Sequence, residues 1–599
     1  MAQNRVMLRG VGEGGGNFPL VSIYLDDVAA SGPLRGPLDI RPLDVARIEV
    51  LNGPQGTLYG QESVGGVVRF LTADPVVGQN SLTASADVWG TSDGSLSERV
   101  TGVTNLALGD QAALRIAGTY EDVGGWIDAP TAGRSDINDG QMYQVRVKGL
   151  FNLTDNLQLV PMVQIHRNDV GAINNGENAN GDLILPAFAP NAVQPAQNNH
   201  DLYSLTAHWD LGDVKLLAVG SAWRNVSTGG FYSPFAGNGR LFRFDNRDEA
   251  QSGEVRITSD EDGRWQWAAG AFYRNADFNS VTTLYQTGPA NGTTATNVNF
   301  VTRAPIRSES WSLYANSSFD LTERLQVGGG LRYFTDDEVA PTPGQASQSF
   351  ESVDPRVFVS YELEENWNIY ATAAKGFRSG GFNAVNPAFP QSYEPEDVWS
   401  YEVGSKFQTA DGRFSGEIAL FYSRYDNMQA TTIATNIGQG YTGNIGRADI
   451  QGVDWSFRVR PNDWLAFGAS GVLLDTEVVS VAPSSAYIAG DRLNYIPEYN
   501  VALFAEAERD ISDAVTARFR VDYNQRGSSA FAQRTVNLTA TGDTLNFLNA
   551  SLALNWGQYG VEVYSDNILD DRGSIFPNPV AFGTRAVPRT IGLRSTVSF

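Results

Sequence analysis

The sequence predicts an all-β fold: an antiparallel transmembrane barrel of about 22 strands around a smaller N-terminal domain. Three observations predict it. Apolar and polar residues alternate along most of the chain from about residue 80 onward. The connections fall into two classes, short polar turns and long loops rich in Gly, Asn, Pro and Ser. No run of 18 or more apolar residues occurs, which excludes a spanning helix but not a barrel, whose strands need only alternate residues facing lipid.

The strands show two faces. In TARFRVDYN, residues 516–524, Ala517, Phe519, Val521 and Tyr523 share one side, and Arg518, Arg520, Asp522 and Asn524 the other. QAALRIAGTY (111–120) sets Leu114 and Ile116 against Arg115, and RLQVGGGLRY (324–333) sets Leu331 and Tyr333 against Arg332. RTIGLRSTVSF (589–599) ends the chain with Ile591 and Leu593 opposite Arg594. This is the period of two of a strand with one apolar face. LGDQ (108–111), LTDN (153–156), LGD (211–213), LEEN (363–366) and WGQY (556–559) read as hairpin turns, whereas 170–199 is a long polar loop. A soluble sandwich or propeller explains the alternation but not the two loop classes. Tyr120, Trp126, Trp223, Tyr273, Tyr333, Tyr370 and Tyr422 lie near strand ends and read as interfacial girdles.

Composition narrows the function. With no cysteine among 599 residues, disulfides, thiolate metal sites and cysteine nucleophiles are excluded. Three histidines leave little for a haem site. A net charge of -24 without a basic patch argues against nucleic acid. Gly10, Gly12 and Gly15 match G-x-G-x-x-G, but GNFPLVSIYLDD follows, with no helix to meet a pyrophosphate, so a dinucleotide site is rejected. There is no G-x-S-x-G, H-E-x-x-H or Walker loop, so no enzyme, catalytic residue, cofactor or bound metal is expected. Asp336 and Asp337 read as solvated loop charges, with loop calcium a weaker reading.

A barrel of this size would leak unless its lumen were filled. RIEVLNGPQGTLYGQESVGGVVRFLTADP (47–75) and VSIYLDDV (21–28) resemble the plug domain of TonB-dependent outer-membrane receptors. AAKGFRSGGFNA (373–384), SYEPEDVWSYEVGSKF (392–407), NIGRADIQGVDWSF (444–457) and NILDDRG (567–573) resemble barrel segments of the same family. The resemblance implies a plug over 1–78, present only in its C-terminal part, and a barrel over 79–599. A signal peptide, a TonB-contacting box and the first half of the plug are expected upstream of Met1.

The resemblance also implies location and function. It places the chain in the outer membrane of a Gram-negative bacterium, in contact with outer-membrane lipid. It implies TonB-dependent active uptake of a scarce solute, first a ferric siderophore, with the TonB complex as partner through the missing box. Alternatives are a glycan, an aromatic nutrient or, less favoured, a passive porin. Glu13, Asn17, Phe18 and Arg35 near the plug apex and Phe231 and Tyr232 in GGFYSPF are the candidate ligand contacts. Arg47 and Arg69 of the plug and Glu396 and Glu402 of the barrel are the candidate plug–barrel contacts. Asn52 stands where receptors of the family often carry Arg before Gly-Pro. Inward Arg332, Arg518, Arg520 and Arg594 are expected to attract an anionic solute.

Overall fold

The computed structural model describes the chain except residues 1–5, 13–18, 32–37, 61–62, 174–181, 183–194, 234–238, 260–262, 288–296, 341–346, 435–438, 484, 535–536 and 578–583. For 231–233, 239–240, 286–287, 297–300, 302 and 439 it describes the backbone alone. Twenty-two antiparallel strands close into one barrel, each bonded to its neighbours in chain order. The last strand, Thr590–Ser598, pairs with the first, Ser81–Thr91, so the wall has no free edge.

The alternation sorts side chains as the period requires. Phe519, Leu331, Ile591 and Leu593 are exposed on the outer wall. Arg520 and Arg594, on the opposite parity, bond carboxylates inside. Short turns such as those between Thr154 and Leu157, Asp210 and Val214, and Trp556 and Tyr559 lie at one rim. The long connections lie at the other.

Three of the proposed girdle aromatics are misplaced. Tyr120, Tyr273 and Tyr422 are exposed on the outer wall, and Tyr333 packs edge-on against Trp311 there. Trp223 instead points inward into an apolar cluster with the plug. Tyr370 points inward and donates to Glu402. Trp126 lies buried in an outer connection, its backbone N–H donating to Asn138 Oδ1 at 2.8 Å. Nearness to a strand end does not decide facing; the parity of the residue does.

The N-terminal segment forms a small mixed sheet from β1 (Val21–Leu25), β2 (Val28–Ala29), β3 (Val45–Asn52) and β4 (Gly66–Thr72), in the order β2-β1-β4-β3. A four-residue helix, α1 (Gly56–Tyr59), joins β3 to β4. Strand β1 runs parallel to β4 and is buried at every residue, as its near-continuous apolar run VSIYL requires. Ile23, Leu25 and Val28 pack with Leu217, Trp223 and Phe278 of the wall. Val11, Leu20 and Val64 pack with Val398, Phe421 and Ile450. The sheet therefore sits inside the barrel and shares its core with the inner wall.

Candidate functional site

The seam between sheet and wall begins at the Gly-rich stretch. Leu8 and Val11 exchange both backbone hydrogen bonds, at 2.8 and 2.7 Å. Between them Arg9 (φ 49°) and Gly10 (φ 77°) both lie in the left-handed region, the signature of a two-residue type I′ turn. Gly10 serves this turn, and a Cβ there would lie only 3.3 Å from Ile496. The turn aims Arg9 at the wall. Its guanidinium bonds Glu402 and Asp454 and lies 4.6 Å above the Phe421 ring. Burial disfavours a charged guanidinium, but the two carboxylates outweigh it and hold Arg9 above its ordinary pKa.

Elsewhere on the seam the polarity is reversed. Asp44 of the plug accepts from Arg115 Nε at 2.7 Å and Nη2 at 2.6 Å, a bidentate pair. Arg146 Nη2 donates to the carbonyls of Leu43 at 2.6 Å and Asp44 at 2.9 Å. Lys148 Nζ reaches Asp26 at 3.0 Å, Asp74 at 2.7 Å and Thr72 Oγ1 at 3.0 Å. Asp26 also accepts the Thr72 N–H at 2.7 Å, which ties the β1–β2 turn to the end of β4.

Of the four residues proposed for plug–barrel contact, only Glu402 crosses the seam, and its partner is Arg9. Arg47 is exposed and pairs with Glu49 of its own strand at 2.7 Å, which holds Glu49 below the usual carboxylate range. Arg69 pairs with Asp27 and Glu49, at 3.4 and 2.9 Å, both in the plug. Glu396 is fully buried and pairs with Arg378 of the neighbouring strand at 2.9 Å. It also accepts the Gln429 N–H at 2.6 Å, fixing the base of an outer connection. Sequence alone hides Arg9, because its role depends on the left-handed turn; the signal it carries is Arg-Gly between two apolar residues, Leu8 and Val11.

The candidate ligand contacts Glu13, Asn17, Phe18 and Arg35 lie outside the described residues. Phe231 and Tyr232 lie in the strand Val214–Ser233, opposite Phe242 and Leu241, and their side chains are likewise outside the described part. Three of the inward arginines are engaged rather than open. Arg520 pairs with Glu506 and Asp522, Arg594 with Asp87 and Glu562, and Arg332 is buried beneath α1, 3.4 Å from the Leu58 carbonyl. Asp336 is not a solvated loop charge: it is buried in a strand and accepts from Ser308 at 2.7 Å and Ser379 at 2.8 Å. At the outer rim Tyr495 stacks on Phe576, centroids 4.1 Å apart, and tilts against Phe531 at 5.3 Å. These aromatics were not singled out in the sequence.

Residues 1–67 match the TonB-dependent receptor plug domain, and residues 151–568 match the TonB-dependent receptor-like β-barrel. The chain belongs to the TonB-dependent receptors. It is an outer-membrane protein and a transporter, not an enzyme. The pesticin receptor of Yersinia enterocolitica is 22% identical, over 100% of this chain and 87% of its own length. The ferrienterobactin receptor of Escherichia coli K12 is 23% identical, over 89% of this chain and 76% of its own. Among solved structures, the ferric yersiniabactin uptake receptor FyuA of Yersinia pestis superposes with a TM-score of 0.84 at 19% identity. That superposition covers 99% of this receptor and 91% of FyuA.

Proposed function

We propose that this receptor takes up a ferric siderophore, and that TonB supplies the pull that displaces the plug. The observation that carries the reading is the likeness to FyuA over nearly the whole chain, plug included. The relative named as a ferrienterobactin receptor points the same way. The seam adds a physical argument. A plug tied to the wall by partly buried ion pairs favours gated uptake over a steady pore, since a porin keeps an open aqueous channel. At the rim Tyr495 and Phe576, both half-buried and backed by the buried Phe531, supply apolar surface suited to a flat aromatic chelate.

The test is receptor abundance in outer membranes from iron-starved and iron-replete cells, followed by uptake of radioiron chelates. Induction by starvation, with uptake lost on deletion of the receptor and on collapse of the proton gradient, is the expected result. No response to iron, with deletion instead abolishing growth on a glycan or an aromatic acid, would assign the receptor to that nutrient.

A further inference from the structure

On one side of the mouth, the outer connections are joined to one another by side-chain amides. Connection 379–395 follows the strand Trp367–Arg378, and 427–445 follows Phe414–Asp426. Connection 482–498 follows Leu465–Val481, and 527–544 follows Val515–Arg526. Asn383 Nδ2 donates to the Thr442 carbonyl and its Oδ1 accepts the Thr442 N–H, both at 2.8 Å. Asn444 does the same to Glu394, donating to its carbonyl at 2.9 Å and accepting its N–H at 2.8 Å. Gln533 repeats the pattern across the next gap. Its Oε1 accepts the Ile433 N–H at 3.1 Å and its Nε2 donates to the Thr431 carbonyl at 2.9 Å. Gln429 Nε2 donates to the carbonyls of Ser379 at 2.8 Å and Glu394 at 3.1 Å. Gln429 and Gln533 are fully buried. Connection 482–498 joins the set through three further bonds to 527–544. The Ala532 N–H donates to Asn494 Oδ1 at 2.8 Å, the Tyr495 N–H to the Ala530 carbonyl at 2.7 Å, and Arg534 pairs with Asp491 at 2.9 Å.

A primary amide has an acceptor end and a donor end, as a peptide group does. The backbone groups it meets are fixed in polarity, so they decide which end faces which. Asn383, Asn444 and Gln533 each satisfy one N–H and one C=O of a neighbouring connection, as a paired strand residue would. Buried backbone groups need partners, so withdrawing one such amide leaves two of them unpaired in the next connection. Gln429 carries the coupling further. Its side chain holds 379–395, while its own N–H is held by Glu396, the partner of Arg378.

We propose that connections 379–395, 427–445, 482–498 and 527–544 form one preassembled body at the mouth, pinned by Asn383, Gln429, Asn444 and Gln533, so that none of them closes over a solute apart from the others. The proposal stands whichever solute is carried. It also bears on Tyr495. Holding 482–498 against 527–544 sets the Tyr495 ring against Phe531 before any solute arrives, and a surface ordered in advance loses less freedom on binding.

The chain has no cysteine, so two introduced cysteines carry the only spin labels. Val385 and Ile488 are exposed and lie in two different connections of the set. Receptor labelled at Val385→Cys and Ile488→Cys in lipid nanodiscs is expected to give a single narrow distance distribution by electron–electron resonance. A broad or two-peaked distribution overturns the proposal. Gln533→Met keeps the length of the side chain and removes both of its bonds, with heat-modifiable mobility as the check on folding. It is expected to broaden that distribution. It should also make hydrogen exchange roughly tenfold faster at 430–434 and at 379–395, one connection further on, with the wall strands unchanged. Faster exchange confined to 430–434 would mean that the connections open one by one, and overturns the proposal. So does a Gln533→Met receptor whose exchange is unchanged in both segments.

Discussion

On the wall formed by Glu396–Gln408 and Gly446–Asn462, the plug presents one cation, Arg9, to two barrel carboxylates. On the wall formed by Ala112–Val123 and Gly140–Thr154, the barrel presents Arg115, Arg146 and Lys148 to plug carboxylates. The reversal fixes orientation. A plug turned to exchange the two walls would set Arg9 against arginines and Asp44 against Glu402, and like charges held close in a partly buried seam repel strongly. The holds also differ in how they are shared. Among the described residues Arg9 is the one plug cation that pairs with Glu402 and Asp454, whereas the opposite hold is spread over three cations and backbone carbonyls.

That contrast predicts unequal costs. Arg9→Ala should be the most damaging single change at the seam. It leaves Glu402 and Asp454 partly buried and without their cation, and leaving such groups unpaired costs about 3 kcal/mol. Hydrogen exchange of β1 and β4 amides would read this as easier opening of the plug. Adding Glu402→Gln and Asp454→Asn to Arg9→Ala should recover most of the loss, because the uncompensated charges go. If Arg9→Ala leaves the exchange of β1 and β4 unchanged, this wall does not hold the plug.

On the shared wall a single removal should cost less. Arg115→Ala deletes the bidentate pair, but Asp44 keeps Arg146 at 3.7 Å, so a loss of about 1.5 kcal/mol is expected. Lys148→Met should cost less again. Asp74 is largely exposed and returns to water, and Asp26 keeps its bonds from Thr72. The same exchange measurement ranks the two; a Lys148→Met effect equal to that of Arg9→Ala would erase the distinction between concentrated and shared holds.

The barrel was legible in the sequence because its rules are local. Period-two alternation and short Asp/Gly/Asn turns each act within about ten residues, and together they gave 22 strands and the side each strand turns outward. The seam was less legible because it joins residues hundreds of positions apart. Glu396 and Glu402 share an inward parity, yet six strand residues separate them by roughly 20 Å along the strand. That puts Glu402 level with Arg9 and Glu396 up beside Arg378 at the base of an outer connection. Arg47 is drawn to Glu49, two residues away on the same face of β3, a partner nearer than any barrel carboxylate. Parity along Trp367–Arg378, with Trp367 and Ile369 exposed, already placed Tyr370 inward.

The wall that packs against α1 offers the smallest and sharpest test, because there the plug meets the barrel through packing instead of a charge pair. Gly60 ends α1 with φ 88°, and a Cβ on it would lie 3.0 Å from Arg332 Nη2. Gly78, between the plug sheet and the first barrel strand, has φ 75° with nothing within 4 Å. Gly78→Ala forces a positive-φ alanine, at about 1 kcal/mol, whereas Gly60, with φ 88° and ψ −165°, holds a backbone conformation that essentially only glycine adopts, so Gly60→Ala costs more in the backbone alone. Only at Gly60 must the buried Arg332 also give way. Gly60→Ala should therefore exceed Gly78→Ala in its effect on plug opening, and Arg332→Lys in the Gly60→Ala background should narrow the gap by withdrawing the guanidinium. A gap left unchanged by Arg332→Lys would mean that backbone strain alone is felt, and that α1 lies loosely on this wall while the ion-paired walls keep the plug in place.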